Sequence, residues 1–135
     1  MRGMTVTTSA AVLDRATVVH LRSDGGLATL AVDEASWAHR ATQPELGDGR
    51  ILAVFGYDAT WTWWERHPVG DELAYVLEGR VRFCLEDADG CRRVDVRRGE
   101  CGLIPAGAWH RAEVEVPCRV LFVTPTPART EHRTA

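Results

Sequence analysis

Two carboxylates and two imidazoles stand where a strand reading of the chain turns them inward. Glu65 and His67 are two apart in the stretch Trp61-Thr62-Trp63-Trp64-Glu65-Arg66-His67, Glu72 follows shortly after, and His110 comes much later. Neighbouring residues on a strand point to opposite faces. Glu65 and His67 therefore share a face with Trp61 and Trp63, while Thr62, Trp64 and Arg66 take the other. His110 aligns with Ala112, Val114 and Val116, and Arg111, Glu113 and Glu115 form the solvated side. An ionisable group inside an apolar fold is costly unless it is paired or binds something. A set of two imidazoles and two carboxylates suits a divalent transition metal such as iron, zinc, manganese or nickel. Such an ion would offset both the desolvation and the mutual repulsion of the carboxylates. Taken singly, an inward histidine is more often a hydrogen-bonded core residue, and a strand-end glutamate such as Glu72 is usually solvated. The combination carries the signal.

The elements that would position these groups are short strands between tight turns. Strands are expected over residues 50–57, entered through Gly47-Asp48-Gly49, then 61–67, 72–78 after Pro68-Val69-Gly70-Asp71, and 80–86 beyond Gly79. Further strands are expected over 92–97, 102–104, 109–116 and 119–123, with Asp89-Gly90 supplying hairpin-turn chemistry. A helix is expected over part of residues 33–40. Many short strands with frequent turn signals indicate an all-β sandwich or barrel. Alternation sends Val81, Phe83 and Leu85 inward and Arg82, Cys84 and Glu86 outward. Trp61, Trp63 and Phe83 are the expected walls of an apolar pocket beside the ionisable groups, with Trp109 adjoining His110. Such a pocket would hold a small organic molecule, flat or aromatic; simple core filling is the competing role for the tryptophans.

A chain of 135 residues has room for one domain. Residues 1–26 are expected to form a partly ordered N-terminal segment, 27–124 the barrel, and 125–135 a flexible tail. Apolar and charged fractions of 45% and 26% are those of ordinary globular proteins. No apolar run approaches the roughly 18 residues a membrane span needs, and residues 1–16 lack the pattern of a secretory signal, so a cytoplasmic protein is expected. The net charge of −3 and the interruption of Arg92, Arg93, Arg97 and Arg98 by Asp95 and Glu100 argue against a nucleic-acid surface. Cys84, Cys91, Cys101 and Cys118 form no CxxC pair and are expected to be reduced and partly buried.

The spacing around the four ionisable residues resembles both motifs of the cupin family. The first family motif runs glycine, five residues, His-x-His, three or four residues, Glu, six residues, Gly. This chain fits it from His67 through Glu72 to Gly79. The second runs Gly, five residues, Pro-x-Gly, two residues, His, three residues, Asn; Gly99, Pro105, Gly107 and His110 fit all but the last position. Ala59 replaces the leading glycine, Val114 the final asparagine and, most consequentially, Glu65 the first histidine. The resemblance spans roughly residues 50–124 and implies an all-β, cupin-type jelly-roll β-barrel. It also implies metal ligation by His67, Glu72 and His110. Glu65 is then a fourth ligand, a proton-transfer group or a brace behind the ligands; a lapsed site with Glu65 paired to an arginine is the other alternative. Similar cupins include dioxygenases, isomerases, decarboxylases and cyclases of secondary metabolism, and pair as homodimers through an outer sheet. The resemblance thus implies a metal-binding small-molecule enzyme, with a non-catalytic ligand-binding or sensing module as the alternative. The missing helix-turn-helix segment weakens a stand-alone regulator.

Overall fold

Between residues 50 and 125 no strand runs longer than eight residues, and side chains alternate between interior and solvent. Such alternation is the period of a strand. The computed structural model describes residues 5–6, 13, 17–31, 48–125 and 130–135. They contain twelve strands and no helix: β1 Thr5–Val6, β2 Thr17–Leu21, β3 Leu27–Ala31, β4 Arg50–Tyr57, β5 Trp63–Arg66, β6 Glu72–Glu78, β7 Arg80–Asp87, β8 Gly90–Arg97, β9 Cys101–Ile104, β10 His110–Glu113, β11 Cys118–Pro125 and β12 Glu131–Thr134. The helix expected over residues 33–40 lies outside the described residues. No helix among the described residues is long and apolar enough to cross a membrane.

The strands form two wholly antiparallel sheets, one ordered β1-β3-β2-β4-β11-β6-β9 and the other β12-β5-β10-β7-β8. From β4 onward the chain passes from one sheet to the other at almost every connection, the β7–β8 hairpin excepted. One residue, Gly79, makes the corner between β6 and β7. Its φ of +73° and the 2.3 Å that would separate an added Cβ from the Pro117 carbonyl oxygen leave room for glycine alone. Ala74, Val76, Val120 and Phe122 of the larger sheet meet Val81, Phe83, Val96 and Ala112 of the smaller, with Trp61 between them. A second cluster of Val18, Leu30, Ile51 and Ala53 extends the larger sheet.

Several expectations are corrected. Among the described residues the barrel is two facing sheets whose edge strands are not paired to one another, because the corners redirect the chain instead of continuing the ladder. Within the N-terminal segment, β2 pairs with β4 through Val19↔Leu52 and His20↔Ile51. Strand β11 runs to Pro125, and within the C-terminal segment β12 pairs with β5 over four residues. The strand at His110 ends at Glu113, so Val116 is 37% exposed instead of inward. Cys84 is buried, and it is joined to Cys91 as a disulfide with Cα atoms 5.7 Å apart. The register sets Cys84 against Arg93 and Cys91 against Glu86. This diagonal on one face of the hairpin does not show as a CxxC spacing. Cys101 and Cys118 are free thiols.

Candidate metal centre

Sheet register assembles the cluster. Glu65 on β5 stands directly opposite His110 on β10, and directly opposite residues of an antiparallel pair share a face. His67 continues the inner face of β5 just beyond its end. Glu72, at the start of β6, shares an inner face with Ala74 and Val76 and approaches from the other sheet. The two motif turns are tied together: Gly107 N–H donates to the His67 carbonyl at 3.0 Å, and Ala106 N–H donates to Asp71 Oδ1 at 2.8 Å. The turn Pro105-Ala106-Gly107, with Gly107 at φ +79°, delivers His110 next to His67; the imidazole centroids are 5.3 Å apart.

All four residues expected to carry chemistry converge. His67, Glu72 and His110 are buried, His110 completely, while Glu65 keeps 17% of its side chain exposed. Glu72 bridges the imidazoles, with Oε2 3.2 Å from His67 Nε2 and Oε1 3.3 Å from His110 Nε2. Glu65 Oε2 lies 3.8 Å from His67 Nε2. Ligand atoms of Glu65, His67 and His110 all fall within 4.8 Å of one another, a grouping that could hold a metal ion.

The hydrogen bonds behind these atoms fix their chemistry. His110 Nδ1–H donates to the Ala108 carbonyl at 3.0 Å, so the Nε2 of the neutral ring is a bare lone pair. His67 Nδ1 lies 3.0 Å from Thr130 Oγ1, and the Thr124 hydroxyl donates to Glu72 Oε2 at 2.7 Å. Trp63 Nε1–H donates to Glu65 Oε1 at 3.1 Å, and His132 Nε2 lies 3.3 Å from the same oxygen. The contacts of Glu72 with the imidazoles meet ion-pair distance but lack hydrogen-bond direction. His67 Nε2, Glu72 Oε1 and His110 Nε2 consequently remain buried without a hydrogen-bond partner. Burial alone would raise the Glu72 pKa, but His110 and His67 overrule it and bring it to about 2. Burial disfavours the His110 imidazolium, yet Glu72 outweighs it, and with the Ala108 carbonyl the pKa rises. Lone pairs and a buried carboxylate that converge favour a positive charge at their focus, which protons supply in part and a metal ion would supply in full.

The cluster opens on a cavity of about 440 Å³. Trp61 and Trp63, expected on its wall, are there, stacked at 5.0 Å with planes 9° apart. Phe83 is not on the wall; it is fully buried in the core, edge-on to Phe122 at 6.5 Å. Trp109 lies on the opposite face of its sheet, with the guanidinium groups of Arg66 and Arg133 at 4.8 and 4.6 Å from its ring. Sequence reading missed Phe55, Tyr57, Phe122, Thr124, Thr130 and His132. Alternation along β11 from buried Val120 would have found Phe122 and Thr124, whereas Thr130 and His132 depended on the unexpected strand β12.

Two stacked antiparallel sheets with a histidine–glutamate cluster between them define a small all-β scaffold whose interior groups could hold a metal ion. Residues 52–124, more than half the chain, match the family model for the cupin domain, and the chain belongs to the cupin family. No curated protein gives a significant match. Among solved structures, the chain is similar to hydroquinone 1,2-dioxygenase from Sphingomonas sp. TTNP3 with 4-hydroxybenzoate bound. Identity is 21% and the TM-score 0.51, over 59% of this chain and 61% of that one. It is also similar to protein BH2720 of Bacillus halodurans (23%, TM-score 0.51, 59% and 64% covered). A third structure is Bacillus subtilis oxalate decarboxylase, studied for its Mn(II) centres (17%, TM-score 0.52, 70% and 26% covered). The matches take in less than two thirds of each of these three structures, and at such identities the likeness is one of fold.

Proposed function

We propose that this cupin, read as a jelly roll, is a small-molecule enzyme working through a divalent ion held by His67, Glu72 and His110. The observation that carries this reading is the trio of buried atoms His67 Nε2, Glu72 Oε1 and His110 Nε2, which have no hydrogen-bond partner and converge beside an aromatic cavity. When bound, the ion would supply Lewis-acid polarisation of a substrate oxygen or, if iron, redox capacity toward dioxygen. The chain supplies the rest. The Trp61–Trp63 stack offers a flat apolar wall, with Phe55, Tyr57 and Phe122 on the same cavity. A volume of about 440 Å³ suits a small organic molecule. Glu65, partly exposed, is either a fourth ligand or the group that takes a proton from the substrate or returns one. Dioxygenase, isomerase and cyclase chemistry all fit this arrangement. A homodimer through the outer face of the larger sheet belongs to the same proposal, supported by exposed Leu73, Tyr75 and Leu103.

Elemental analysis of the protein as isolated, and again after incubation with Fe(II), Mn(II), Zn(II) or Ni(II) and desalting, tests the reading. Stoichiometric retention is expected, followed by turnover or oxygen uptake with phenolic or enolic substrates. A folded protein that retains none of these ions refutes it. Retained metal and bound ligand without turnover would transfer the conclusion to a non-catalytic binding module.

A further inference from the structure

Strand β12 lies outside both motif stretches, yet it borders the cluster at Glu65. His132 stands directly opposite Glu65 across the β5–β12 ladder, as His110 does across β5–β10. One row of the smaller sheet therefore reads His132, Glu65, His110. Trp63 and His132 both engage Glu65 Oε1, leaving Oε2 as the oxygen nearer His67 Nε2. Two residues before His132, Thr130 Oγ1 meets His67 Nδ1 at 3.0 Å. The outer face fixes this register. Arg66 pairs with Glu131, and Arg133 pairs with Glu86 while lying 5.1 Å from the Trp64 ring centroid and 4.6 Å from that of Trp109. Because side chains alternate, pinning Glu131 and Arg133 on the outer face turns His132, 41% exposed, to the face that carries Glu65.

We propose that β12 and the residue before it position the metal centre. Thr130 accepts the His67 Nδ1–H, so that Nε2 is presented bare to the cluster. His132, with Trp63, orients the Glu65 carboxylate so that only Oε2 is offered. Thr130 and His132 are positioning residues, acting through His67 and Glu65. This inference rests on the proposal that those two residues face a metal ion.

Titration of the full chain with Co(II), followed by its visible ligand-field bands, tests it. Thr130→Val keeps shape but removes the acceptor; it should weaken Co(II) binding by about 10–100-fold, the usual effect of removing a group behind a metal ligand. Thr130→Ser should restore wild-type affinity, and His132→Ala should shift the Co(II) bands by freeing Glu65. A folded Thr130→Val protein with wild-type affinity and spectrum overturns the inference. Should that variant not fold, nitrogen-15 NMR of His67 in the wild type decides, since an Nε2–H tautomer overturns it equally. Failure of the wild type to bind Co(II) is a separate result, visible before any variant is compared. It would remove the metal reading and this inference with it.

Discussion

Glu72→Gln isolates the charge at the middle of the cluster while keeping its shape. The carboxylate is 3% exposed and touches both imidazoles. Their pull takes its pKa from 4.5 to about 2 against the opposing effect of burial. At about 1.4 kcal/mol for each pH unit, the ionised form stabilises the metal-free fold by about 3 kcal/mol relative to a neutral side chain. Because the folded pKa is depressed, this contribution is fully present above pH 4.5 and is lost as pH falls through about 2. The His110 contribution has the opposite sign: its raised pKa gives stability present below 6.5 and lost as pH rises through the folded value. The comparison therefore belongs near pH 6, where both contributions are present. Urea unfolding of chelator-treated wild type and Glu72→Gln should differ by about 3 kcal/mol, a midpoint shift of about 1–3 M. Below pH 4.5 the two curves should draw together, as the wild type loses what the variant never had. A difference under about 0.5 kcal/mol, the size expected of an ordinary surface change, would refute the pairing.

His110→Ala should cut metal affinity by at least about tenfold, read by competition with a chromogenic chelator; unchanged stoichiometry would remove His110 from the ligand set. Glu65→His, which installs the residue the family carries there, should retain or strengthen metal binding if position 65 ligates. Complete loss from a folded protein would assign the carboxylate another role. Arg111→Ala should leave metal affinity unchanged and cost about 0.5–1 kcal/mol in thermal unfolding, because its guanidinium, 5.3 Å from the Trp64 ring centroid, belongs to the outer face. Metal and proton compete for His110 Nε2, so the gain in melting temperature on adding metal should grow as pH rises above 6.5; a flat profile would argue against ligation there.

The parts of this molecule legible in its sequence are those where local chemistry and global fold agree. The bounds of β4 and β6 follow from alternation between turn residues, and the four ionisable residues meet because the inward face of each strand could be read before the strands were paired. Pairing itself was not legible. The Cys84–Cys91 bridge depends on a diagonal of the β7–β8 register, and Cys84 is buried although it points away from the core-facing Phe83. Trp109 was misplaced through its closeness to His110, although adjacent residues on a strand necessarily face apart. Strand β12 was missed because a short charged segment after two prolines has no hydrophobic period. Its order comes from Arg133 against Trp64, Trp109 and Glu86, contacts between residues far apart in the chain.

The carboxylate at position 65 changes the electrical balance of the site, and the surrounding residues answer that change. Glu65 and Glu72 together carry two negative charges, which balance a divalent cation; a histidine at 65 would leave a net positive charge near a buried interior, where uncompensated charge is costly. Without a cation the same two carboxylates repel one another, and the structure offsets this unevenly. Glu72, enclosed, draws on His67, His110 and the Thr124 hydroxyl. Glu65, partly exposed, is met by the indole of Trp63 and by His132. In the row His132–Glu65–His110 the carboxylate thus has an imidazole on either side, one of them from a strand outside both motifs. A glutamate in the place of the family's histidine is therefore compatible with a metal centre, because Trp63 and His132 hold its Oε1 and leave Oε2 turned toward His67.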